Sequence, residues 1–442
     1  EIWCPFSVKK PLTAQHLSHV NWLGVKQLKN KPDVADEALW IDALFGLSQT
    51  RELPESIADL LEKRQLRRPG KMVSLDVPSG ICSDSGKPIG GKAASASFTL
   101  TVGLIKQGLV QDVALSYVGR LIRIDLGLPL SIFDERHNQF PLRVKSSDLT
   151  SVSWPQPELI ASKYQRGRVL VVAGSDRYLG AALLALKGAI ASGVGSIQAA
   201  IPKEMAGSLW QVAPEIVLAG VLESSSKGAK VGSFLATQDL GRFDAVLIGP
   251  GLGKSGEHCL DDIEVVQTFD GLLVLDADAL NRLAFSDEGW QWIKRRNGPT
   301  WITPHLFEFQ RLFPSIKETS PLQSAMEAAN LSGAGVLLKG AHSVIADPSG
   351  RAWQLVETAQ CVARTGLGDL LAGFVTGVGA LSLSTSKGIT FEALAASAFV
   401  HAEASSRCKK GSSASSIFES LESCARSLQS RNLVFDPFLG VK

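Results

Sequence analysis

The sequence predicts an α/β protein of two three-layer units, each a largely parallel sheet covered by helices. Three observations carry that prediction. The chain has 442 residues, more than one core of ordinary size holds. Short apolar runs that end in Gly, Pro or Asp turns alternate with helix-spaced segments, as in parallel strands joined by helical crossovers. A stretch without sustained period, carrying Pro129, Pro141, Pro155 and Pro157, interrupts the alternation. It reads as a linker with a boundary near residue 145, giving units 1–144 and 145–442.

In the first unit, residues 38–45 read as a strand running into Gly46, and residues 56–64 have helical spacing. Residues 71–77 form a strand stopped by Pro78-Ser79-Gly80, and residues 98–102 and 121–126 are further strands. The second unit repeats the rhythm more strongly. Strands are expected at 168–173, 245–248, 272–275, 301–303, 336–339 and 343–346. The turn Asp347-Pro348-Ser349-Gly350 leads to a hairpin partner at 352–355. Helices are expected at 181–192, 369–379 and 391–407.

Composition narrows the classes of function. Forty-five basic residues against 43 acidic ones leave a charge of +2, so nothing draws the chain to nucleic acid or an anionic membrane. The most apolar stretch, residues 180–202, carries Lys187 and several glycines and reads as a buried helix and strand rather than a span. Cys4, Cys82, Cys259, Cys361, Cys408 and Cys424 form no C-x-x-C pair, which fits a reducing compartment and no zinc site. The first residues lack a secretory pattern, and a cytoplasmic enzyme is expected.

Parallel sheets place ligands at the carboxyl ends of their strands, so the turns there carry the chemistry. Gly366-Leu367-Gly368-Asp369 opens an apolar helix. Its backbone N–H groups can surround an anion, and Asp369 can act as a base beside it or simply cap the helix. Gly249-Pro250-Gly251-Leu252-Gly253-Lys254 suits close approach of backbone to a phosphate or ribose, without satisfying the P-loop spacing. Asp276 and Asp278 can hold Mg²⁺ through water, or cap the next helix. His305, with Glu308 three residues on, stands where a substrate would bind. Lys339-Gly340-Ala341-His342-Ser343 offers a strand-end lysine to a nucleotide phosphate, the alternative being a solvated lysine.

The order of these turns resembles the ADP/ATP-dependent NAD(P)H-hydrate dehydratases, a branch of the ribokinase-like fold, over residues 160–435. Lys163-Tyr164, Gly180-Ala181-Ala182, the Gly-Pro-Gly-Leu-Gly turn, Asp276 to Asn281, Thr303-Pro304-His305, Leu338 to Ala341 and Gly368-Asp369 carry the likeness. The resemblance implies phosphorylation of a hydrated dihydronicotinamide by ADP or ATP with Mg²⁺, followed by loss of phosphate. It implies Asp369 as the base, and Ala181, Gly251, Gly253, His305 and Asp369 as substrate contacts. Lys339, Gly340, Ala341, His342, Ser343, Gly366 and Gly368 would hold the nucleotide. Two departures are Leu367, where the family usually has Thr or Ser, and Leu306-Phe307 in place of Pro-Gly after the histidine.

Residues 38–128 resemble the later half of the NAD(P)H-hydrate epimerases, through Asp42 to Gly46, Asp76 to Gly80, Asp84, Gly86, Thr99 to Gly103, Lys106 and Asp125 to Gly127. The resemblance implies K⁺ at Asp42 and Ser79, with Asp76 at the substrate. Residues 1–40 lack the family's Asn-Asn-Gly-Gly-Asp-Gly loop, so the first βα unit reads as missing and this unit as an incomplete Rossmann-like domain without epimerase activity. A homo-oligomer is expected. Two alternatives are a small-molecule kinase of the same fold and a non-catalytic nucleotide binder. The fused first unit opposes the former, and the joint presence of Asp369, Lys339 and His305 opposes the latter.

Overall fold

The computed structural model describes residues 1–442 except 130, 132–140, 147, 151–153, 156, 159, 226–227, 254–263, 318–319, 357–362, 386–388 and 432–442. Lys254, Cys259 and Cys361 lie outside the described residues. Two compact units divide at Glu1–Ile132 and Phe133–Lys442.

In the first unit, β1 (Ile2–Trp3) and β2 (Gln27–Leu28) pair in parallel around helix α1 (Pro11–Trp22). The main sheet is parallel throughout. Its strands are β3 (Trp40–Asp42), β4 (Met72–Leu75), β5 (Phe98–Val102) and β6 (Arg120–Ile124), in that spatial order. Helix α2 (Glu55–Arg67) packs Ile57 and Leu61 against Met72, and Val77, Ile81, Leu109 and Val118 form a second apolar cluster. Side chains alternate across a strand, so the opposite face carries Ile41, Leu75, Phe98, Ile122 and Ile124, all of them exposed. Arg64, the one buried cation among the described residues of this unit, donates to the carbonyls of Val34, Asp36 and Ala38 and ties α2 to the segment before β3.

Among the described residues the second unit has a two-stranded hairpin (Ser224–Ser225 with Gly228–Ala229) and is built on a sheet of ten strands. They are β7 (Leu142–Arg143), β8 (Arg168–Val172), β9 (Ser196–Pro202), β10 (Val217–Leu222), β11 (Ala245–Ile248), β12 (Leu272–Leu275), β13 (Thr300–Ile302), β14 (Gly335–Leu338), β15 (Val344–Ala346) and β16 (Ala352–Gln354). Their order is β10-β9-β8-β11-β12-β13-β14-β15-β16-β7. All neighbours are parallel from β10 to β14, and β15 turns back as an antiparallel hairpin between β14 and β16. The linker reading stops short here. β7 pairs with β16, and Val144, Leu149 and Trp154 are buried in the core of this unit. Proline hid an apolar contribution that lacks any period.

Two apolar layers sandwich the sheet, and the strands supply both. Val169 and Val171 face one cluster, while Leu170 and Val172 face the other. The first layer holds α3 (Leu179–Ala191), α7 (Leu367–Ser384), α8 (Phe391–Arg407) and α9 (Ala414–Arg431). The second holds α4 (Asp278–Ala284), α5 (Leu306–Leu312) and α6 (Pro321–Ser332). Among the described residues α7 alone is long and apolar enough to cross a membrane. Since 72% of it is buried within the fold, it is a core helix.

Candidate active site

Strand order reverses beside β8: β9 and β10 lie on one side, β11 onward on the other. Such a switch point opens a crevice at the carboxyl ends of the two central strands. The turn after β8 meets the turn after β11 there. Gly174 N–H donates to the Pro250 carbonyl at 2.8 Å and Ser175 Oγ to the Gly251 carbonyl at 2.8 Å. Gly251 has φ +70°, and a Cβ there would sit 2.7 Å from that of Ala181, so only glycine lets the two backbones meet. Ala181, Gly251 and Gly253 therefore lie together. Asp278 Oδ2 accepts from Gly253 N–H at 2.8 Å, and the Arg282 guanidinium donates to the carbonyls of Ala229, Leu252 and Gly253. The glycine turn is thus clamped from both sides.

The next three strands end in charged groups that converge. Asp276 follows β12 and is 1% exposed. Its Oδ1 accepts from Lys339 Nζ at 2.7 Å and from Thr303 Oγ1 at 2.7 Å, while Oδ2 is buried without a partner. His305, after β13, is bridged to Lys339, after β14. Burial would push the Lys339 ammonium down, yet Asp276 and Glu308 hold it above its ordinary value. It stays a cation beside a carboxylate. A Cβ on Gly368 would lie 3.3 Å from Lys339 Nζ, which puts that charge against the turn opening α7.

That turn begins with Gly366 at φ +91°, a left-handed entry that points the first N–H groups of an 18-residue helix outward. Asp369 occupies its first turn. Burial, then the negative charge of Asp276, raises its carboxyl to about 7, against the pull of Lys339. A base poised near neutrality is matched to proton abstraction at physiological pH. Leu367 packs against the apolar layer and adds no hydroxyl to the turn.

His305 serves its own helix first. Its Nδ1 accepts from the N–H groups of Phe307 (3.1 Å) and Glu308 (3.4 Å), and Glu308 Oε2 accepts from the His305 N–H in return. Burial and the nearby Lys339 lower its pKa, so the contact from Nε2 to Glu308 Oε1 (3.2 Å) joins a neutral imidazole to a buried carboxyl. Glu308 is itself raised by burial. Phe307, 65% exposed, stands edge-on to the imidazole with ring centroids 6.0 Å apart. Lys339 to Ser343 form the tight turn between β14 and β15, in which Ser343 Oγ donates to the Gly340 carbonyl. His342 is buried there.

Two residues escaped the sequence reading. Ala277, between the two aspartates, has φ +50° and ψ −114°, a region L residues avoid. His401 lies on α8. Burial lowers it to about 4, it shares a hydrogen bond with the backbone of Leu367, and its Nε2 has no partner. A lone histidine in an apolar helix gives no signal in the sequence.

The first unit has its own strand-end cluster. Asp42 Oδ1 accepts from Ser79 Oγ (2.6 Å) and Leu44 N–H, and Oδ2 accepts from Ser74 Oγ and Ser79 N–H. Asp42 and Ser79 do meet, but every carboxylate lone pair is engaged by a protein donor. As placed, these residues do not fit a K⁺ ion. Asp76 sits at φ +67° and pairs with Lys106, whose ammonium also donates to the Val102 carbonyl at 2.7 Å. Asp276 Oδ1 is held by Lys339 and Thr303 and Asp278 Oδ2 by the Gly253 N–H, and no cluster of three His, Cys, Asp or Glu exists among the described residues to hold a metal.

Residues 169–425 match the family profile of NAD(P)H-hydrate dehydratase, and residues 2–108 match that of the YjeF-related protein N-terminus. A bifunctional NAD(P)H-hydrate repair enzyme of Synechocystis sp. is 38% identical over 376 residues, covering 85% of this chain and 70% of the relative. The chain belongs to this repair-enzyme family. A second bifunctional repair enzyme, from Gloeobacter violaceus, is 36% identical over 381 residues, 85% of this chain and 73% of that one. Two solved structures share the fold of the second unit. They are a ribokinase-like superfamily protein of Enterococcus faecalis (TM-score 0.55, 23% identity, 66% of this chain and 98% of that one) and the Bacillus subtilis ADP/ATP-dependent NAD(P)H-hydrate dehydratase co-crystallized with ATP/Mg²⁺ (0.53, 24%, 66% and 99%).

The repair-enzyme match corrects one expectation. A truncated first unit is not supported: the profile of the YjeF-related protein N-terminus matches residues 2–108, and residues 2–28 form a β1-α1-β2 unit. The two strands are two residues long and α1 buries no side chain, so no apolar period marks them.

Proposed function

We propose that the second unit restores hydrated NADH or NADPH at the expense of ADP or ATP. Asp369 takes the proton of the ring hydroxyl, whose oxygen attacks the terminal phosphorus of the nucleotide. The bond to the bridging oxygen breaks, and AMP or ADP departs. The phosphate ester then leaves its carbon with the C–O electrons as the adjacent carbon loses a proton, and the dihydronicotinamide re-forms. The N–H groups at Gly366 to Gly368 and the Lys339 ammonium face the transferring phosphoryl group, where fixed donors lower the barrier without reorganising. Lys339 to Ser343 border the nucleotide. Ala181, Gly251, Gly253 and His305 border the hydrate. Mg²⁺ on the phosphates would neutralise their charge.

The observation that supports this most is the convergence of Asp276, His305, Lys339 and Asp369 at the ends of consecutive strands and one helix. A direct test incubates the chain with the S hydrate and ADP or ATP and follows the reduced-nicotinamide absorbance. Recovery with either nucleotide is expected. None with both would overturn the assignment.

For the first unit we propose interconversion of the R and S hydrates, with Asp76 moving the proton and Lys106 holding its carboxylate. Asp76→Asn is expected to abolish use of the R hydrate, a loss of about 10²-fold or more, while turnover of the S hydrate is unchanged. Chiral chromatography of the hydrates reads the outcome. Equal R-hydrate turnover in the variant would remove Asp76 from the chemistry.

A further inference from the structure

The hydrogen bonds of Asp276 go to Lys339 and Thr303, and its environment is unusual for a structural residue. It is 1% exposed, it ends a fully buried strand, and it uses only half of its carboxylate. Oδ1 accepts from both Lys339 Nζ and Thr303 Oγ1 at 2.7 Å, while Oδ2 is buried with no partner. Leaving a desolvated carboxylate oxygen unsatisfied costs free energy that a purely structural site would avoid. Lys339 in turn is held on one side by Asp276, and on the other its ammonium lies against Gly368.

The backbone around Asp276 is fixed as tightly as its side chain. Its carbonyl lies where a Cβ of Gly249 would fall, at 1.8 Å, and the next residue is Ala277 at φ +50°. The strand end, the glycine turn and the strained residue together leave the carboxylate a single place to stand. A flexible lysine so anchored presents one geometry instead of many, and rotamer freedom that would otherwise be lost during reaction is lost on folding.

We propose that Asp276 is a positioning residue: its carboxylate, oriented by Thr303, anchors the Lys339 ammonium against the Gly366–Asp369 turn so that this charge meets the transferring phosphoryl group from a fixed place. The inference rests on the dehydratase reading of the second unit and assigns a new role within it. It makes Asp276 act on phosphoryl transfer through Lys339; because the charge of Asp276 also raises the Asp369 carboxyl, the double-mutant cycle is read on the high-pH plateau of kcat, where Asp369 is ionised in every variant.

The experiment measures kcat, KM for the S hydrate and nucleotide affinity for the full chain and for Asp276→Asn, Lys339→Met, the double variant and Thr303→Val. Asp276→Asn keeps the shape and the acceptor for Thr303. It is expected to lower kcat about 10- to 100-fold with KM for the hydrate changed less than about threefold. Lys339→Met is expected to lose at least as much, and the double variant no more than Lys339→Met. The double variant should also melt at or above Lys339→Met, because it removes a buried carboxylate left without its partner. Thr303→Val, which leaves both charges in place, is expected to lower kcat by a smaller factor. That loss should disappear in the Lys339→Met background, so this arm stands even if Asp276→Asn fails to fold. Multiplicative losses in the double variants, or undiminished kcat in Asp276→Asn, would overturn the proposal. An inactive wild-type chain would instead sink the dehydratase reading itself.

Discussion

Asp369→Asn is expected to abolish dehydration, lowering kcat by about 10²- to 10⁴-fold, while nucleotide still binds and protects the chain against heat. In the unsubstituted chain, kcat should rise with pH toward a plateau above about 7, where the Asp369 carboxylate is free to accept a proton. The same shift sets an opposite trend in stability. The folded carboxyl titrates at about 7 and its unfolded counterpart near its ordinary value, so between those limits the folded state holds the extra proton. Stability contributed by this group therefore falls as pH rises through that window. Asp369→Asn should melt a few degrees above the wild type at pH 8, with a smaller gap at pH 5, as read by calorimetry. A variant that melts lower at pH 8 would mean that the charge of Asp369 is welcome where it lies.

The second large effect is expected far from any charge. Helices α3 and α7 cross with their backbones in contact. A Cβ on Gly373 would fall 1.8 Å from the Ala185 carbonyl oxygen, and one on Gly188 would fall 2.0 Å from that of Leu370. Since both obstacles are backbone, no rotamer change relieves them, and the helices must part. Gly373→Val is expected to cost at least about 3 kcal/mol, a drop in melting temperature of roughly 10 °C. What survives should turn over slowly, because α7 starts at the Gly366–Asp369 turn and its crossing with α3 sets where that turn lies. Full activity at a near-normal melting temperature would show that the crossing is loose.

What the sequence revealed and what it hid have physical causes. Residues 245–248 and 272–275 are legible to the residue because central parallel strands are buried on both faces and read as unbroken apolar runs. Helix α8 is legible over Phe391–Arg407 because its ends carry signals, Thr390 capping one and Arg407 closing the other. The strand-end turns could be found because glycine and aspartate stand where strands stop. Their couplings could not. Asp276 and Lys339 are 63 positions apart, and only the sheet order makes them partners. His401 lies on an apolar helix face that looks like core until its hydrogen bond to Leu367 is seen. Trp154 and Val144 lie among prolines, where no period announces burial. The short elements around α1 bury too little to leave a pattern.

Ala277 finally sets stability and turnover against each other at one codon. Alanine at φ +50° and ψ −114° is strained by about 1–3 kcal/mol, whereas glycine adopts that conformation readily. Ala277→Gly should thus keep or raise the melting temperature, although glycine usually lowers it. The relaxed turn would also let Asp276 sample more than one orientation, and kcat should fall as the melting point holds. Selection for heat resistance alone would drift toward glycine at this position, and selection for repair would hold it back.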